Sequence, residues 1–152
     1  MLRQRLNEAL KEAMKAKEQR AVSTVRLILA ALKDRDIAAR GKGNMDGIGE
    51  DEILSMFQTM IKQRQEAIAL YEQGGRQELA QQEREEIAVI ERFMPKQMTE
   101  DEVRAAIGGL IAELGATSIK DMGKVMAEMR SRYAGRMDSA KASGWVKEAL
   151  AP

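Results

Sequence analysis

Phe93-Met94-Pro95-Lys96-Gln97-Met98-Thr99-Glu100-Asp101-Glu102 is the stretch whose reading decides the fold of this chain. Proline has no backbone N–H and pushes the residue before it out of helical conformation, so a helix arriving from the N-terminal side must end near Met94. Thr99 and Glu102 stand at the spacing of a capping box, in which the threonine side chain and the glutamate side chain each satisfy the other's free N–H at a helix start. One helix stops and another begins within a few residues. The spacing therefore predicts a domain boundary between Met94 and Thr99, with residues 1–95 on one side and 99–152 on the other.

Apolar residues recur at helical spacing on both sides of this boundary. Before it, helices are predicted over Leu2–Lys15 (Leu2, Leu6, Leu10 and Met14 in line), Val22–Arg40 (Val25, Ile28, Leu29, Leu32), Glu50–Gln73 (Ile53, Phe57, Met60, Ile61, Ile68, Tyr71) and Gln77–Phe93 (Leu79, Ile87, Ile90, with Met94 beyond). Gly41–Gly49 holds four glycines and reads as a mobile loop. After the boundary come Glu100–Leu114, Ile119–Tyr133 behind a cap at Thr117 or Ser118, and Ser139–Leu150 capped by Asp138. The expected class is all-α: a four-helix N-terminal unit and a three-helix C-terminal unit. The smaller unit falls below the size at which a lone core is comfortable, so it either docks on something or is marginal.

Composition agrees. The 152 residues include two prolines and 3% aromatics, with 44% hydrophobic and 32% charged side chains. Eleven methionines exceed expectation and read mainly as adaptable filler for a core short of aromatics. No apolar run reaches the length of a membrane span, and Met1–Lys17 has no unbroken apolar core of the kind a signal peptide needs. No membrane association is expected, and the cytoplasm is the default location. The net charge of +1 hides a strong bias: +6 over residues 1–42, −5 over 43–98, and +4 over 118–147. Oppositely charged segments can neutralise one another, or the two basic segments can face an anion such as RNA.

The chain has no histidine and no cysteine. General acid–base and thiolate chemistry then fall to carboxylates, lysine, serine or tyrosine, and no constellation of these stands out. Glu83, Glu85, Glu86 and Glu91 read as a solvated face or as partners of nearby cations. Asp46 lies in a loop without the ligand order of a calcium site, and Gly41-Lys42-Gly43 lacks phosphate-loop spacing. No catalytic residue, metal or cofactor is expected.

One motif remains. Lys120-Asp121-Met122-Gly123-Lys124-Val125-Met126 is followed by Gly135-Arg136-Met137-Asp138. Glycine inside a helix costs about 1 kcal/mol relative to alanine, so close approach of another surface is expected at Gly123. One reading packs Gly123 against the last helix near Trp145. Compatible with it, Lys120, Lys124, Arg130, Arg132, Arg136 and Lys141 are read as a phosphate-contacting surface at a helix start that itself favours anions.

This motif resembles the GatB/YqeY family, as do Thr24–Lys33, Ile61–Ile68, Gly75–Ala80, Glu83–Ile87 and Phe93-Met94-Pro95, where the family more often has tyrosine-leucine-proline. Their order covers essentially the whole chain and is closest to free-standing YqeY-like proteins. The resemblance implies a four-plus-three helix architecture and kinship with the C-terminal region of the B subunit of the tRNA-dependent amidotransferase. That region touches tRNA while other modules perform the chemistry. It implies a non-catalytic, tRNA-associated protein, with amidotransferase or synthetase components as further partners. A carbon–nitrogen ligase label with glutamine as amido donor would reflect descent. The alternative is a protein–protein adaptor working through apolar and methionine-rich helix faces.

Overall fold

A computed structural model describes every residue, Met1–Pro152, and it is all-α. Seven α-helices run Leu2–Ala16 (α1), Gln19–Gly41 (α2), Glu50–Gln73 (α3), Gln77–Glu91 (α4), Glu100–Leu114 (α5), Met122–Arg132 (α6) and Ser139–Leu150 (α7). A single 3-10 turn, Ile119–Asp121, leads into α6. The chain divides into two compact units, Met1–Met94 and Pro95–Pro152.

In the first unit, α3 packs on α4 and α1 on α2, and α2 also packs on α4. The stripes named above close the core: Leu6, Val25, Ile28, Ile53, Met56, Phe57 and Ile90 are almost wholly buried. Phe57 and Phe93 meet with ring centroids 6.2 Å apart, and Arg5 lies 5.7 Å from the Phe93 ring centre. Each such aliphatic or aromatic side chain contributes about 1.5–3 kcal/mol when fully buried.

Besides α4, which ends at Glu91 rather than Phe93, two features of this unit depart from expectation. First, α2 begins at Gln19, not near Val22. The break before it is made by Lys17, which ends α1 in the left-handed conformation (φ 58°) and donates its N–H to Met14. A lysine there carries no turn signal of the kind glycine would. Second, the glycine-rich segment is pinned, so the mobile-loop reading fails over its second half. The Arg3 guanidinium grips Asp36 with Nη2 2.9 Å from Oδ1 and also donates to the Ile48 carbonyl at 2.6 Å. Asp36 Oδ1 accepts the Ile48 N–H at 2.9 Å, and Ile48 is buried. Gly47 sits against this clasp with φ +84°, where an added Cβ would lie 2.8 Å from Asp36 Cγ. The hydrogen bonds from Arg3 hold the Asp36 carboxyl below the usual aspartate range.

The second unit packs α5, α6 and α7 around Val103, Ile107, Val125, Met129 and Val146. Thr99 and Glu102 form the capping box, each side chain 3.1 Å from the other's backbone N–H. Ser118 is the cap of the turn before α6, paired with Asp121, and Asp138 caps α7. Gly135–Asp138 is a structural turn. Its Gly135 carbonyl accepts from Gln97 Nε2 at 2.6 Å, the Arg136 carbonyl accepts the Met98 N–H at 2.8 Å, and Arg136 Nε donates to the Lys96 carbonyl at 3.1 Å. Met137 drops into the core between them. The turn thereby holds the Lys96–Met98 segment onto the bundle.

Gly47→Ala should destabilise the first unit by roughly 1–3 kcal/mol, since it adds a collision to a positive φ. Urea titration followed by circular dichroism checks this; a midpoint equal to that of the parent would refute the clasp as described.

Candidate nucleic-acid interface

The six cations expected to face an anion separate into two groups. Arg132, at the end of α6, is taken up by the protein itself: its guanidinium pairs with Glu113 of α5 at 3.0 Å and with Glu128 at 3.1 Å. Arg136 is held by the Lys96 carbonyl and lies 5.9 Å from the Tyr133 ring centre. Lys120, Lys124, Arg130 and Lys141 are exposed and make no ion pair or side-chain hydrogen bond.

Helical geometry places the first three around one strip. Gly123, Ala127 and Ser131 follow one another at four-residue steps on the outer face of α6, and all are exposed. Lys124 lies to one side of that strip and Arg130 to the other, with Lys120 one turn before it. Lys141 is not part of this group: it shares a face of α7 with Gly144 and Glu148, and Glu148 reaches across to Arg104 of α5 at 3.0 Å. Asp121 sets one carboxylate at the strip's upper end. Its oxygen accepts the Thr117 N–H at 3.0 Å, which keeps the carboxyl below the usual range, and Lys124 adds to that effect.

Gly123 itself overturns the packing reading. An added Cβ there meets nothing within 4 Å, so no neighbouring helix presses against it. Trp145, the expected neighbour, lies instead under Arg104, 5.2 Å from the guanidinium carbon to the ring centre. The helix thus carries the cost of a glycine with no internal contact in return. Five of the eleven methionines, Met56, Met60, Met126, Met129 and Met137, are buried as core filler, whereas Met1, Met14 and Met45 are exposed.

The acidic cluster on α4 also has an internal account. Arg64 of α3 donates to Glu86 at 2.9 Å and stands 3.9 Å from Glu83. Burial, then the neighbouring Glu86 carboxylate, pushes the Glu83 carboxyl above the ordinary glutamate value. Sequence reading did not single out Arg64; its signal is a cation one turn beyond Met60 on a helix otherwise apolar on that side.

Residues 3–150 match the family model described as Yqey-like protein. Among curated proteins, the chain is 29% identical over 111 residues to "Altered inheritance of mitochondria protein 41, mitochondrial" of Lachancea thermotolerans, covering 72% of this chain and 57% of that protein. The protein of the same name from Eremothecium gossypii is 34% identical over 89 residues, 59% of this chain and 46% of the relative. The chain therefore spans about half the length of the curated relatives it matches. Their names correct the cytoplasmic location expected above, because these relatives are described as mitochondrial. The expectation rested on the lack of a signal-like run, which carries no information about compartment. No helix is long and apolar enough to cross a membrane.

Gly123→Ala should leave the second unit as stable as before or more stable by about 0.5–1 kcal/mol, because alanine is the better helix former and the space is open. Thermal unfolding of the two proteins decides; a loss of more than 1 kcal/mol would mean that the site is tighter than described. Glu83→Gln tests the acidic cluster. A raised carboxyl contributes stability that is full below the ordinary glutamate value and is lost as pH climbs through the raised value. The variant should therefore gain in urea midpoint at neutral pH and show no gain at pH low enough to protonate Glu83. A midpoint that falls at neutral pH would overturn the assignment.

Proposed function

The chain belongs to the YqeY family, and on that premise we propose that it is a non-catalytic protein that holds tRNA, alone or within an amidotransferase-type complex, through phosphate contacts. The contacts come from Lys120, Lys124 and Arg130 on the outer face of α6. The observation that carries this reading is the open space over Gly123, bordered by three cations that make no ion pair or side-chain hydrogen bond. A glycine, an alanine and a serine in a row let a bulky, charged chain approach the helix backbone, and the flanking cations neutralise it. Phosphate contacts of this kind supply affinity with little reading of base sequence. With aromatics at 3% of the chain, shape and backbone recognition fit better than stacking on single strands. Arg132 and Arg136 contribute by holding the unit together, and Lys141 stands apart.

The adaptor reading keeps one supporting feature. The methionine faces are buried, but a cleft of about 580 Å³ on the second unit is lined by Ile111, Ala116, Ile119 and Leu150, with Lys120 on its lining and Ile119 well exposed. An amidotransferase or synthetase component would seat an apolar side chain there.

Filter binding of tRNA at low and moderate salt separates the two. Lys120→Glu with Lys124→Glu and Arg130→Glu should weaken binding by about tenfold or more and reduce the salt slope by about 2–3. Binding that is unchanged by these substitutions removes α6 as the contact surface, and partners captured from lysate that persist after nuclease treatment while tRNA does not bind favour the adaptor.

A further inference from the structure

The excess positive charge of residues 1–42 has a definite place in the first unit. At the start of α2 lies an open cleft of about 700 Å³ lined by Met14, Lys17, Arg20, Val22, Arg26 and Glu85, among others. Lys17 and Arg26 make no ion pair or side-chain hydrogen bond. Arg20 is partly buried, and its Nε is cut off from solvent without a partner. Its positive charge is felt at the Glu83 carboxyl, without an ion pair between the two. Glu85 is the one carboxylate in the lining and has no cation paired with it. Glu18 precedes α2 without making a side-chain cap, standing 3.9 Å from Arg92, and no acidic residue stands in the first turn.

A second feature leads away from this cleft. Arg26, Lys33 and Arg40 are seven residues apart along α2, and all three are exposed. Seven residues advance about 10.5 Å and return to nearly the same side of a helix, so the three form a line about 21 Å long along one edge. None has an ion pair. Asp36, on which Arg40 has a small electrostatic effect, is already gripped by Arg3.

We infer that the outer side of α2 binds the phosphodiester backbone of an RNA, with one phosphate in the Lys17–Arg20–Arg26 cleft and further phosphates along Lys33 and Arg40. A free phosphate or pyrophosphate would use the cleft alone, and the line of cations beyond it would have no role. An anionic membrane fits less well. Leu27 and Ile37 are exposed beside the line, but the charged, exposed Lys33 and Asp34 lie between them, so no continuous apolar face is available for insertion. The inference rests on the reading that this protein holds RNA, and it assigns a surface on the first unit that is independent of Gly123 and its lysines.

The test uses the full chain, fluorescently labelled tRNA and anisotropy at two salt concentrations. Arg26→Gln with Lys33→Gln and Arg40→Gln should weaken binding at least about tenfold and lower the salt slope by about 2–3, with unchanged circular dichroism and thermal midpoint. Arg26→Lys with Arg40→Lys should retain most of the affinity, because phosphate contacts need charge more than shape. Two control arms use pyrophosphate by calorimetry and phosphatidylserine vesicles by co-sedimentation. Wild-type affinity in the glutamine variant overturns the inference, as does loss of pyrophosphate binding with tRNA binding intact, or vesicle binding without tRNA binding. If the α6 variant loses tRNA and the α2 variant does not, this surface alone fails. The reverse result removes the α6 reading and leaves this one standing, and a wild-type chain that binds no tRNA removes both.

Discussion

The second unit depends on one clasp, the hydrogen bonds between the Gly135–Asp138 turn and the Lys96–Met98 segment. A three-helix unit this small buries too little apolar surface to tolerate a loose end. Gly135 takes the positive φ that the reversal between α6 and α7 needs, and it is buried there. Its carbonyl and that of Arg136 then face the incoming strand of chain, and Gln97 and Met98 answer them. Arg136 adds a third bond from its side chain, Met137 fills the core, and Asp138 starts α7. Four consecutive residues therefore set where the unit begins, how α6 turns back, and where α7 starts. The first unit uses the same device with different residues: Arg3, Asp36 and the Ile48 backbone tie the α2–α3 connection to α1.

These clasps decide which charges remain for a partner. An arginine with its planar fork is well suited to gripping carbonyls and carboxylates, and Arg3, Arg64, Arg132 and Arg136 are all used in that way. Exposed pairs of this type add little stability individually, but they remove a cation from any outer surface. Among the cations left free are a short set around Gly123 in the second unit and a line along α2 in the first. Net charge alone shows neither arrangement.

Much of the helical plan was legible. The periodic stripes place α3, α5 and α7 with the bounds that the structure shows, and the capping residues Thr99 and Asp138 do what their spacing predicts. Errors occur where local signals are silent. The α1–α2 break falls at a lysine in left-handed conformation, which sequence pattern does not announce, so α2 was expected three residues late. The final turn of α4 stops at Glu91, two residues before its apolar stripe ends. The glycine-rich connection reads as mobile because glycine frequency says nothing of an arginine thirty residues or more away.

By itself, the sequence determined that this protein is helical, where most of its helices lie, and which family it resembles. Those properties follow from periodicity, propensity and caps, all of which act between residues a few positions apart. Only the tertiary structure decided the meaning of Gly123, the fate of Arg132 and Arg136, and the tether on the Gly41–Gly49 segment. Each depends on what stands opposite a residue from a distant part of the chain: empty space over Gly123, Glu113 before Arg132, Lys96 beside Arg136, and the Arg3–Asp36 pair against Gly47. Local pattern can propose a glycine for packing or a cation for binding, but only the neighbours brought by folding decide between them.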